Sequence, residues 1–276
     1  MDLKVMSWNV EHFSGKGTGS RVDRLARVID LIKGEDPDIF ALMEVEGAMV
    51  FRDMVQAFPG YQFTITEGEQ VQEILIGTRA GISAFTTQRN EFKRGKASLR
   101  PAALLTVTSS DTGNVISFLF SHLKSLPTPE GFGLRDAMFE KVRSLKKAID
   151  NAVDLAGGAR FVLLGDLNTM GMNLTFSRKD LTSAEEIVRV DKVLGRRDLI
   201  QQEMTHETTF NDGSDSTLPL TRLDMVYASP NVSFADMGGA PIRVAGWAEI
   251  DDVEEQDAWI DAFSDHAPLI FKVIDL

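Results

Sequence analysis

The sequence predicts an α/β domain in which two β-sheets pack together and are flanked by helices. Three observations predict it. Apolar runs of strand length alternate with stripes of helical spacing; the order strand, polar tip, helix, strand, acidic tip is written twice; and short strands separated by turns lie between and after the two units. The chain has 276 residues, 43% of them hydrophobic, enough to bury a large core. No Pro/Gly/Ser-rich linker divides it, so a single domain over 1–276 is expected.

Taken in order, Leu3 to Trp8 is an apolar-rich strand that stops at Asn9, Glu11 and His12 before a Gly-rich loop, Ser14 to Ser20. Val22, Leu25, Ile29 and Ile32 then recur at helical spacing, with Ser20 placed to cap the helix and Gly34 to end it. Asp36 and Pro37 introduce a second strand, Ile39 to Met43, which runs into Glu44. Tyr61 to Ile65, Glu73 to Gly77, Ile82 to Thr86 and Ala102 to Thr108 read as an antiparallel extension of a sheet. The second unit follows: Val115 to Phe120 ends at His122, a stripe of Met138, Val142, Leu145, Ile149 and Ala152 is broken at Gly157 and Gly158, and Phe161 to Leu164 ends at Asp166. We read a weak internal repeat, two related halves whose strand tips face one cleft. Thr182 and Glu185 form a capping-box signature ahead of Ile187 to Leu194. Strands at Leu223 to Ala228 and Leu269 to Ile274 enclose an acidic stretch, Glu249 to Asp261.

Composition bounds the function. A mean hydropathy of -0.08 is ordinary for a soluble globular protein. No stretch is apolar for long enough to cross a bilayer, and Met1 to Val10 has no leader pattern, so a cytoplasmic, monomeric protein is expected; a cysteine-free chain is also compatible with secretion after loss of a leader. Zero cysteines exclude disulfides and thiolate zinc sites. The net charge of -12 argues against holding nucleic acid by bulk electrostatics, though not against a local basic groove.

Asn9, Glu11, Glu44, His122, Asp166, Asn168, Asp224, Asp265 and His266 each sit at or beside the end of an apolar run, where α/β folds assemble sites. Carboxylates after buried strands need partners, and a hard cation satisfies several at once. With carboxylate and amide oxygens dominant, Mg²⁺ or Mn²⁺ is favoured. There is no His-Glu-x-x-His pair for a zinc protease and no Gly-x-x-x-x-Gly-Lys phosphate loop.

At these tips SWNVEHF (7–13), ALMEVEG (41–47), SHLKS (121–125), GDLNT (165–169), RLDMVYAS (222–229) and SDHAPL (264–269) resemble the endonuclease/exonuclease/phosphatase family, in that family's order and over nearly the whole chain. The resemblance implies a four-layer α/β sandwich, with two mixed β-sheets packed face to face and flanked by helices, and Mg²⁺-assisted attack of water on a phosphoester. Matched by position, Glu44 becomes the metal-binding carboxylate, with Asn9 and Glu11 beside it and Asp265 completing the shell. Asp166 resembles the group that deprotonates the attacking water, and Asn168 a donor to a phosphate oxygen. His266 would stabilise the phosphate's charge while Asp224 fixes its tautomer. His122 resembles the second family histidine, placed to protonate or stabilise the leaving oxygen. Glu11 departs from the aspartate expected there in many nucleases.

Arg89, Lys93, Arg94, Lys96 and Arg100 form a basic cluster that reads either as a solvated hairpin tip or as a substrate contact. Arg100, before Pro101, resembles a family position near the phosphate, and Lys124 and Arg135 are further candidates for substrate phosphates. The SHLKS pattern and the basic cluster favour a nuclease acting on DNA or RNA. Low positive charge favours a smaller substrate, a sphingomyelin-type lipid, an inositol phosphate or a nucleotide. A silent binding protein of the same fold is the third reading. Trp247 and Trp259 are read as core, and His12 and His206 as surface or structural residues.

Overall fold

The computed structural model describes all residues except 16–22, 94, 98, 154–156, 175 and 177–178. Ser20, Val22 and Arg94, which figure in the sequence reading, lie outside the described residues. Two βαβ units organise the chain. In the first, β1 (Leu3–Phe13) and β2 (Ile39–Val45) pair in parallel around α1 (Arg24–Glu35); in the second, β7 (Val115–Phe120) and β8 (Arg160–Asp166) do so around α3 (Pro129–Val153). The parallel strands are buried almost throughout, which is why they read as near-continuous apolar runs.

Each unit seeds one sheet. The first has the order β11-β13-β1-β2-β4-β3, with β12 also on β13; the second has the order β5-β6-β7-β8-β10-β9. The strands concerned are β3 (Tyr61–Ile65), β4 (Glu73–Arg79), β5 (Ser83–Arg89), β6 (Ala102–Thr108), β9 (Ile200–Gln201), β10 (Asp224–Ala228), β11 (Ser233–Phe234), β12 (Ile242–Val244) and β13 (Leu269–Ile274). The four middle strands therefore do not extend a single sheet. β3 and β4 join the first sheet and β5 and β6 the second, so the chain changes sheets across the turn at Ala80–Ile82.

Three apolar clusters separate four layers. Val5, Ile39, Met43, Phe118, Leu164 and Phe271 fill the space between the sheets. Leu163, Phe161 and Tyr227 pack with Phe139, Val142 and Leu194 under α3 and α4 (Ser183–Gly195). Trp8, Phe40 and Leu42 pack with Val28, Ile32 and Met54 under α1 and α2 (Ala48–Ala57). A fifth helix, α5 (Val253–Ala262), takes up much of the acidic stretch; Trp259 on it packs against Trp8, while Trp247 just before it is buried.

Local chemistry sets the boundaries. Thr182 and Glu185 form the expected reciprocal capping box on α4. Gly34 lies inside α1; the stop comes at Asp36, left-handed at φ 47°, because the residue before Pro37 is pushed out of the helical region. α3 starts nine residues before Met138, with Pro129 in its first turn and the Thr128 hydroxyl accepting the Gly131 N–H at 3.1 Å.

Candidate active site

The C-terminal ends of β1, β2, β7 and β8 deliver Asn9, Glu44, His122 and Asp166 to one place, and the N-terminal ends of the neighbouring strands β10 and β13 bring Asp224 and His266 alongside. Asp224 lies directly opposite Asp166 in the ladder. Several tips hold left-handed backbone without glycine: Glu11 (φ 39°), His12 (φ 45°), Glu44 (φ 60°) and Asn168 (φ 52°). Such clustering of costly conformations marks functional sites.

Asn9 joins the two sheets. Its Nδ2 donates to Glu44 Oε1 at 3.2 Å and to Asp166 Oδ2 at 3.0 Å, and its Oδ1 accepts the Glu11 N–H at 3.0 Å. Glu44 also accepts the His12 N–H at 3.0 Å and Gln72 Nε2 at 2.7 Å. Asp166 is buried and takes the Asn168 backbone N–H at 3.0 Å and side-chain Nδ2 at 2.8 Å. Burial pushes its carboxyl up to about 7, with the negative charges of Asp224 and Glu44 adding to the shift and His266 opposing it.

His266 Nδ1 pairs with Asp224 Oδ2 at 2.7 Å, and Asp224 itself is fixed by its N–H on Thr209 Oγ1 at 2.8 Å. Burial alone would discharge the imidazole, but Asp224, Asp265 and Asp166 together hold it well above the usual histidine range. His122 goes the other way. Its Nε2 lies 3.4 Å from Asp166 and 3.5 Å from Glu44, yet burial, with Arg100 next, drives it well below that range, so these are close approaches of a neutral ring rather than ion pairs. Its buried Nδ1 has no partner among the described residues. The site thus holds one charged and one neutral imidazole.

Asp265 sits 4.0 Å from His266 Nε2, and burial raises its carboxyl to about 6, with Glu11 and Glu44 adding to the shift. Ligand atoms of Glu44, His122 and Asp166 fall within 4.8 Å of one another, as do those of Asp166, Asp224 and His266. The donor set, carboxylates with one histidine in each cluster, fits a divalent cation: the negative charges that raise the carboxyls of Asp166 and Asp265 gain by sharing a positive one.

Of the cationic candidates, Arg100 reaches the site, donating to Gln72 Oε1; burial lowers its proton affinity while Glu44 and Asp166 support its charge. Lys124 is half-buried on the loop after His122. Arg135 does not face substrate. It is fully buried, and all five of its N–H groups are used, on Glu186 (2.8 Å twice), Gly171 O (2.8 Å), Lys124 O (3.1 Å) and Leu126 O (2.9 Å). Its role is to anchor loops. Arg89, Lys93 and Lys96 are engaged by Glu91, Gln70 and Glu130. His12 pairs with Glu46 at 2.8 Å on the surface, and His206 packs edge-on against Trp247. Gln72 is a site residue the sequence reading missed; as a polar residue just before β4 it carries no motif, and only the pairing of β4 with β2 brings it to Glu44.

A carboxylate with raised proton affinity, a charged Asp-His pair and a cluster of oxygen donors at the tips of a four-layer sandwich define a metal-dependent phosphoester hydrolase. The model of the Endonuclease/Exonuclease/phosphatase family matches residues 6–266, and the chain belongs to that family. Among solved structures it is similar to truncated TDP2 of Caenorhabditis elegans (20% identity, TM-score 0.67, covering 99% of this chain and 98% of that one). It is similar also to D. rerio TDP2 complexed with single strand DNA product (16%, 0.67, 99% of each chain). A family protein from Bacteroides thetaiotaomicron aligns at 18% identity and TM-score 0.64 over 100% of this chain and 99% of that one. No curated protein matches the chain. No helix among the described residues is long and apolar enough to cross a membrane.

Proposed function

We propose that this chain is a single-domain, monomeric, Mg²⁺-dependent phosphodiesterase, a nuclease that hydrolyses DNA or RNA by in-line attack of water. The observation that carries the reading is the pairing of a buried carboxylate titrating near neutrality, Asp166, with the Asp224-His266 couple one strand away. The single-stranded DNA product held by the D. rerio neighbour supports a nucleic-acid substrate.

In this reading Asp166 takes the proton of the attacking water as the new P–O bond forms. Asn168 gives its two amide hydrogens to Asp166 Oδ2 at 2.8 Å and Leu123 O at 3.2 Å, and would donate to a non-bridging phosphate oxygen by exchanging the longer of the two. His266 presents Nε2–H, its charge maintained by Asp224, to the negative charge that grows on phosphorus-bound oxygen. His122, neutral, would offer a hydrogen bond to the leaving oxygen as the old P–O bond breaks, and that oxygen takes its proton from solvent water. Glu44, Asn9 Oδ1, Glu11 and Asp265 would hold the metal, which supplies charge neutralisation and Lewis acidity when bound. Arg100 and Lys124 would bind flanking phosphates.

A smaller phosphoester is the second reading, favoured by the net charge of -12 and by the acidic or amide partners that engage Arg89, Lys93 and Lys96. The deciding experiment is hydrolysis with Mg²⁺, Mn²⁺ or EDTA on plasmid, single-stranded DNA, RNA, bis-p-nitrophenyl phosphate and sphingomyelin. Metal-dependent polynucleotide cleavage is expected. Cleavage of only the small or lipid substrates selects the second reading, and inactivity on all of them leaves a silent binding protein.

A further inference from the structure

Leu126 is held in a conformation that a leucine avoids. Its φ is 79°, in the left-handed region, and it precedes Pro127, which pushes the preceding residue toward extended backbone. The side chain gains little in return, being 51% exposed. The strain persists because the segment is fixed from several directions. Leu126 N–H donates to Met170 Sδ at 3.2 Å, and Arg135, clamped by Glu186, donates to the carbonyls of Leu126 and Lys124. Position 131 must be glycine for the same reason: a Cβ there would lie 2.4 Å from Leu126 O. A buried ion pair, a helix terminus and a thioether are thus committed to presenting one apolar side chain to solvent.

The backbone of Leu126 is tied to the segment that carries Asn168. Leu126 is four residues beyond His122, and Leu123 O accepts from Asn168 Nδ2 at 3.2 Å. Met170, which receives the Leu126 N–H, donates its own N–H to Asn168 O at 2.7 Å. The segment after Met170, tied to Pro127 O by the Asn173 N–H at 2.6 Å, carries the exposed apolar side chains of Leu174 and Phe176. The two segments that carry His122 and Asn168 thus continue into a cation, Lys124, and into exposed apolar side chains, Leu126, Leu174 and Phe176. A polynucleotide has that alternation at every step, a phosphate followed by the flat apolar face of a base.

We propose that Leu126 determines substrate specificity by packing against the unpaired nucleobase that adjoins the scissile phosphate, and that Arg135 and Glu186 are the positioning residues that hold it there. The proposal rests on the nuclease reading above. Backbone strain retained for contact with substrate predicts an unusual pairing of effects, better folding with poorer recognition.

The test compares wild type, L126G and L126M by thermal melting and by kcat/KM on a single-stranded oligonucleotide, on bis-p-nitrophenyl phosphate and on sphingomyelin vesicles. Glycine takes the positive φ freely, so L126G should melt higher, by about 2–4 °C. Its kcat/KM on the oligonucleotide should fall at least about fivefold further than on the small ester, as expected when the partial burial of one leucine side chain is lost. L126M, which keeps the apolar reach, should retain the wild-type substrate ratio. An unchanged ratio in L126G, beside a wild type that cleaves polynucleotides, overturns the role of Leu126 alone. A wild type that cleaves no polynucleotide overturns the nuclease reading and this proposal with it. A loss in L126G selective for sphingomyelin vesicles overturns the nucleobase in favour of a lipid surface.

Discussion

Replacing Asp166 by asparagine should stabilise the metal-free protein and disable it at once. In an unfolded chain an aspartate ionises near pH 3.9, whereas in the folded protein burial keeps the Asp166 proton on until about 7. A folded value above the unfolded one means that folding binds a proton, so the penalty is absent well below pH 4, grows as pH rises, and is complete above pH 7. The linkage relation puts the penalty at about 1.5 kcal/mol at pH 5 and about 4 kcal/mol at pH 8. The D166N side chain, which does not titrate, would carry none of it. It would instead leave one amide hydrogen facing the Asn168 N–H, now received by Asp166 Oδ1, a loss of about 1–3 kcal/mol that does not vary with pH. Between pH 5 and pH 8 the melting temperature of D166N relative to wild type should therefore rise by about 5–10 °C, from about 2.5 kcal/mol at 2–4 °C per kcal/mol. Thermal melts in EDTA at the two pH values measure this difference directly. In parallel, kcat with Mg²⁺ should fall by about 10²-fold or more if Asp166 is the base. A melting difference that ignores pH would refute the burial argument, and near-normal turnover would remove Asp166 from the mechanism.

D224N should fold and keep His266 buried, yet lose about 10²-fold or more in kcat, because the imidazole's Nδ1 partner and its charge support go together. Asp224 is one of the charges that raise His266, so the alkaline limb of the pH profile should move to lower pH in this variant; an unmoved limb would disconnect the pair from catalysis. Q72A removes the amide that holds Glu44 and Arg100 in register and should weaken Mg²⁺ binding about tenfold, read by titrating Mg²⁺ against melting temperature as well as activity. R135A leaves Glu186 buried and unpaired and should cost about 3–5 kcal/mol; a variant that melts normally but binds substrate poorly would return Arg135 to the substrate surface.

How far the sequence could be read follows from what each residue depends on. The tips Asn9, Glu44, His122 and Asp166 were legible because each follows an apolar run, and two parallel pairs of buried strands bring such ends together; His266 was legible because it shortly precedes one, β13, which runs antiparallel to β1. Thr182 with Glu185 was legible because a capping box is wholly local. Arg135 was misjudged by its nearness in sequence to SHLKS; the stripe Met138, Val142, Leu145, extended back one turn, falls on Leu134 and Arg135 and puts both on the buried face of α3. Gln72 and the division of the middle strands between two sheets could not be read, because both depend on which strand lies beside which, and strand pairing is not recorded in the spacing of apolar residues.

The bridge from Asn9 to Asp166 spans the two sheets, so the interval between them is the ruler against which the reacting groups are placed. Immediately behind that bridge Gly165, at φ 122°, leaves room where any Cβ would come within 2.5 Å of the Met43 methyl and 2.3 Å of Ser121 O. Met43 belongs to the strand that carries Glu44, and Gly165 to the strand that carries Asp166. A single added methyl at this seam would therefore move one half of the catalytic apparatus against the other without touching a reacting atom. Drift in the filling of the sandwich is thus visible to selection as drift in catalytic alignment, and interior residues that never meet substrate come under the same constraint as those that do.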